Sequence, residues 1–247
     1  MRKFFPAVFA LSLMAILASP GAQAAVQLSN TRVVMKEQDQ HAAIYATNLT
    51  NYPYVVQTWI EGPDGSMETP FFVTPPLSRM DGGAERGLSI TKVGEGLPED
   101  RESYFWFNLL EVPQKGAGDD NSLSIATRTR IKFFYRPTAM QGGVRGPQQL
   151  EWALVRPASG ACELSIRNTS PYIVNFSRIG VSGETEEFGR GAMAMPFDTM
   201  RLPLGSCPAD TAGLNVVPHV INDYGAVNAW PNPKIGAAAS AADSAGH

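Results

Sequence analysis

With 247 residues, 44% of them hydrophobic and 17% charged, the chain is long enough for one large or two smaller domains and too apolar to be disordered throughout. A formal net charge of −3 argues against a general nucleic-acid or membrane-surface binder, so any basic patch must be local. The two cysteines lack CxxC spacing, which argues against a redox or zinc site.

The first predicted element stands outside the fold. Met1-Arg2-Lys3 is a basic start, Phe4 to Leu17 an apolar run, and Ala22-Gln23-Ala24 a run of small residues with A-x-A spacing. This is the layout of a secretory signal peptide over residues 1–24, cleaved after Ala24. Its apolar run is shorter than the ~20 residues a membrane-spanning helix needs. In an oxidising compartment Cys162 and Cys207 read as one disulfide, the alternative being two buried thiols.

Beyond the leader the chain reads as short strands and turns. Val26 to Val34 is the first strand, followed by Ala42 to Asn48 and Tyr54 to Glu61, with Gly62-Pro-Asp-Gly65 as a hairpin signal. Phe71 to Thr74 ends at Pro75-Pro76, and Leu88 to Lys92 and Ser103 to Leu110 follow. A polar loop then feeds the longest alternating run, Ser122 to Pro137. Leu123, Ile125, Ile131 and Phe133 fall on one face of it, and Ser124, Arg128, Arg130 and Lys132 on the other. A strand apolar on one side and basic on the other suits a sheet edge that pairs with a second chain. For Ile131 and Phe133 the preferred reading is core.

Ala139 to Gln149 breaks the pattern, and a linker is predicted over 140–149 between domains at 25–139 and 150–230. Strands resume at Leu150 to Arg156, Cys162 to Arg167, Ile173 to Val181, Met193 to Pro196, Thr199 to Pro203 and His219 to Asn222. Residues 231–247 read as a disordered tail rich in Ala, Ser and Gly. No segment carries a helical stripe; the short strands of the first half suggest an immunoglobulin-like sandwich, and the second half reads as all-β as well. Catalytic signatures such as HExxH, GxSxG and the Walker pattern are absent, the three histidines are scattered, and no enzyme, cofactor, metal or small-molecule substrate is expected.

Four motifs then add a resemblance. Pro98 to Asn108 with Pro113, Thr74-Pro75-Pro76, Ile131-Lys132-Phe133-Phe134-Tyr135-Arg136-Pro137, and Ile221-Asn222-Asp223-Tyr224-Gly225 resemble, in order and spacing, the periplasmic pilus chaperones of the chaperone–usher pathway. The resemblance implies two sandwiches joined at an angle with a cleft between them. It implies a non-enzymatic periplasmic protein that binds pilus subunits by lending an edge strand and passes them to an outer-membrane usher. Arg32 and Lys132 match the pair that anchors the subunit's C-terminal carboxylate. Leu123, Ile125 and Thr127 match the donor positions, Thr127 departing from the large apolar residue usual there. Glu102, Arg136 and Asp223 match an interdomain charge cluster, and Pro75 a cis-proline turn. The short loop before the long strand resembles that of the short-loop members. The last strand of the second domain is in doubt, with Ala226 to Trp230 alone before the prolines. Self-association through the donor strand would hide its free edge. The alternative is a secreted two-domain immunoglobulin-like binding or adhesion module.

Overall fold

The computed structural model describes residues 24–114, 124–140, 145–156, 162–181, 188–205, 207 and 214–237. Residues 1–23 of the predicted leader and Leu123 lie outside the described residues.

The first domain is a two-sheet sandwich. One sheet contains β1 (Val26–Leu28), β3 (Ala42–Asn48), β7 (Glu85–Lys92) and β5 (Phe71–Thr74) in that order. The other contains β2 (Arg32–Lys36), β9 (Thr127–Arg136), β8 (Ser103–Pro113), β4 (Tyr54–Glu61) and β6 (Leu77–Met80). Alternation dictates the core. In β3, Ala42, Ile44, Ala46 and Asn48 are buried while Tyr45 is exposed, so one face packs inward. Phe71 meets Phe105 and Phe133 edge-on, with ring centroids 4.9 and 4.7 Å away, the arrangement aromatic quadrupoles favour.

The second domain is also a sandwich. Its sheets are β14 (Thr199–Pro203), β11 (Glu163–Asn168), β10 (Leu150–Val155), β17 (Ile235–Ala237), and β13 (Met193–Ala194), β12 (Val174–Val181), β15 (Val216–Ile221), β16 (Val227–Ala229). Its own core includes Trp152, Leu164, Ile166, Phe176 and Ile179, separate from the first. A Cys162–Cys207 disulfide is present. The chain is thus all-β with two immunoglobulin-like domains.

Four expectations need correction. The first strand divides at Ser29 to Thr31, and its halves pair in different sheets, β1 with β3 and β2 with β9. The Gly62–Gly65 turn forms, with the Gly65 N–H donating to the Gly62 carbonyl at 3.0 Å. It joins strands of different sheets, so it makes no hairpin. The long strand begins at Thr127 rather than Ser122, and Ile125 lies before it, 66% exposed. The reason is supply of partners: Thr127 faces Glu111 near the end of β8, and Pro113 has no N–H to extend the ladder. The predicted tail is not unstructured from 231 onward, because β17 pairs in parallel with β10 through Trp152 and Ile235, and Ile235 packs on the core. The strand held in doubt is present as β16, paired with β15.

Candidate functional site

β2 and β9 run parallel, with Arg32 opposite Lys132 and Lys36 opposite Arg136. Val33, Met35, Phe133 and Tyr135 point into the core, so pleating places Arg32, Val34, Lys132, Phe134 and Arg136 together on the outer face. Two cations therefore sit side by side next to the second domain. Arg32 is 7% exposed, and its Nε is buried without a hydrogen-bond partner. Lys132 Nζ donates to Asn175 Oδ1 at 2.8 Å, and Asn175 Nδ2 is likewise buried and unpartnered. Burial, and then the charge of Arg32, push the Lys132 ammonium down to about 8. A buried group of donors in excess of acceptors, carrying two positive charges, is suited to receive an anion.

The charge cluster lies two pleat repeats further along β9, at Arg136. Arg136 Nε donates to Glu102 Oε1 at 2.6 Å, and its two terminal nitrogens donate to Asp223 at 2.7 and 2.8 Å. The guanidinium stands over the Tyr172 ring at 5.4 Å. Glu102 Oε2 accepts from the Ile173 amide at 2.8 Å, so both oxygens of this buried carboxylate are engaged. Arg145 adds a bond to Asp223 at 3.0 Å and another to the Ile173 carbonyl. Burial opposes ionisation of Asp223, but Arg136 and Arg145 outweigh it and hold the carboxyl below its usual range. On the same border Gly225 adopts φ +88°, and a Cβ there would collide with Thr31 Oγ1, so glycine suits both the turn and the approach.

Along β9 the sheet edge is open. β2 covers Lys132 to Arg136, while Thr127 to Ile131 have β8 on one side and, among the described residues, no strand on the other. On the outer face Arg130 stacks 4.1 Å above Trp106, and Arg128 stacks 5.1 Å above Trp59 while bonding Glu61. These contacts hold the basic face of β9 away from the edge.

Residues 25–141 match the family "Pili and flagellar-assembly chaperone, PapD N-terminal domain", and residues 145–230 match "Pili assembly chaperone PapD, C-terminal domain". The chain belongs to the pilus-assembly chaperones. Among its relatives, a probable fimbrial chaperone YadV from Escherichia coli K12 is 35% identical over 218 residues, 81% of this chain and 86% of the relative. The chaperone protein FimC of the same strain is 34% identical, covering 88% and 87% respectively. The YadV chaperone crystal structure superposes with a TM-score of 0.72 at 31% identity, over 85% of this chain and all (100%) of that one. A SafB chaperone from Salmonella enterica, solved in complex with the SafA pilin, gives 0.71 at 26% identity, over 85% and 97%.

In this chaperone the sequence-predicted residues fall in two groups at the domain boundary and one at the edge. Arg32 and Lys132 are adjacent, and Glu102, Arg136 and Asp223 form one network. Thr127 opens β9, and Ile125 is outside it. The Thr74–Pro75 bond is cis. Arg145 and Asn175 escaped the sequence reading. Arg145 lies in a segment that reads as linker, and a lone asparagine within an apolar strand carries no pattern that separates a cleft residue from a core one.

Proposed function

We propose that this chaperone binds pilus subunits by adding β9 to their unfinished sheet, and that Arg32 and Lys132 seat the subunit's C-terminal carboxylate. The open edge from Thr127 to Ile131, ending at two adjacent cations, Arg32 buried and Lys132 half-buried, is the observation that carries this reading. An incoming strand gains main-chain hydrogen bonds along the edge, and charge-assisted bonds at its terminus fix the register. Residues Leu123, Ile125 and Thr127 supply the side chains for the subunit groove. Export through residues 1–24 and delivery to an outer-membrane usher complete the assignment, consistent with the periplasmic habit of the family. The relative solved with a pilin supports subunit binding as the task.

Periplasmic pull-down of the wild-type chain and of Lys132→Ala, with bound proteins identified by mass spectrometry, tests this. A small β-rich subunit captured by wild type and lost with Lys132→Ala is the expected result. Equal capture by both would remove the carboxylate anchor from the account.

A further inference from the structure

Asn175 stands on β12, fully buried, and reaches across the domain boundary to Lys132 on β9. Its orientation is dictated by that contact. An ammonium can only donate, so the amide oxygen must face Nζ, and the amide N–H groups are turned to a place where nothing accepts them. A buried orphaned donor is unfavourable and calls for an explanation. An aspartate at 175 would remove the orphan, accept from Lys132 more strongly and cancel its charge. An aliphatic residue would leave the ammonium without direction. Asparagine orients the cation and leaves the charge unspent.

We propose that Asn175 is a positioning residue that holds the Lys132 ammonium in place from the second domain without neutralising it, so that a partner's carboxylate, rather than a neutral group, completes the site. This rests on the carboxylate-anchor reading of Arg32 and Lys132.

The surrounding charges are consistent with that division of labour. Arg32 faces Lys132 from β2, with Arg130 and Arg136 on Lys132's own strand. The nearby acids are already engaged, Glu102 by Arg136, and Asp223 by Arg136 and Arg145. Trp106, opposite Lys132 on β8, presents a ring 6.0 Å from Nζ. No carboxylate among the described residues forms an ion pair with Lys132. The contact also joins the two domains, so the ammonium is in position only when they are.

A synthetic peptide of alternating apolar and polar residues, made with a free C-terminal carboxylate and as its C-terminal amide, reads the site directly. The ratio of the two affinities is measured for the full chain and for Asn175→Asp and Asn175→Ala. Wild type should prefer the acid by about tenfold. Asn175→Asp should bring the ratio to about one, and Asn175→Ala should fall between. Lys132 reactivity toward acetic anhydride, followed against pH by mass spectrometry, should move to higher pH in Asn175→Asp. A merely structural role would weaken acid and amide alike and leave their ratio unchanged, which overturns the proposal. Should Asn175→Asp not fold, Asn175→Ala decides by the same ratio. No acid preference in wild type would overturn the anchor reading and this proposal together, whereas preference retained in Asn175→Asp would overturn this proposal alone.

Discussion

The charge state of a single lysine ties the proposed carboxylate anchor to pH. Lys132 titrates at about 8 in the folded chain against an ordinary 10.5, because it is buried and faces Arg32. Between those values the unfolded chain binds the proton more strongly, so this group's contribution to folding stability rises with pH across that window. The proposed carboxylate binding runs the other way, since the anion needs the ammonium. Affinity for a carboxylate-terminated peptide should therefore hold below pH 8 and fall about tenfold by pH 9.5. Titration calorimetry across this range, with the C-terminal amide as control, checks it. A flat profile for the acid would mean that Lys132 carries no part of the binding. The position of this residue was legible in the sequence, because the IKFFYRP run both alternates and resembles a family motif. Its perturbed charge was not, since burial and the proximity of Arg32 depend on the parallel pairing of two strands about 100 residues apart.

At the scale of the element, β9 shows what alternation does and does not encode. Period two locates the core face where the strand is paired, with Phe133 buried, Ile131 packed against the core and Arg128 and Arg130 outside, while Ile125, ahead of the strand, is exposed. Its start was misjudged by five residues, because a strand ends where its neighbour ends, and the pattern of one strand carries no record of the next. The same limit explains the split at Ser29 to Thr31 and the overlooked β17: local composition gives a strand's tendency, while the sheet it joins is decided by the pairing. Thr127 is where this matters for binding. It is exposed at the open edge and presents a hydroxyl where a groove would take an apolar side chain. Thr127→Leu should add apolar contact and remove a polar group, tightening a subunit complex by about 1 kcal/mol, or roughly fivefold, mainly through slower dissociation. Surface plasmon resonance on the purified complex would show it, and a weakened complex would place Thr127 outside the groove.

At the scale of the whole molecule, two separate cores are bridged by a network of charges. Glu102 and Arg136 come from the first domain, Asp223 from the second, and Arg145 from the segment between the sandwiches. Paired carboxylates and cations of this kind contribute little net stability, yet removing one partner is costly because it strands the rest. Asp223→Ala strands two arginines, at a cost discounted for the 36% exposure of the Asp223 side chain to about 1–3 kcal/mol. Each domain keeps its own core, so the loss should appear between the domains and not within them. Calorimetry should resolve two transitions where wild type gives one, and small-angle scattering should show a broader distribution of interdomain distances. Because Lys132 and Asn175 lie on opposite sides of that boundary, the same substitution should also reduce the preference for a carboxylate-terminated peptide, without touching either residue. Arg136→Ala should be more damaging within the first domain, because it leaves the Glu102 side chain, 1% exposed, without its counter-ion. If Asp223→Ala leaves scattering and carboxylate preference unchanged, the domain arrangement must be set by backbone contacts such as the hydrogen bond from the Glu102 N–H to the Pro171 carbonyl at 2.9 Å, and the charges only decorate a boundary that shape already determines.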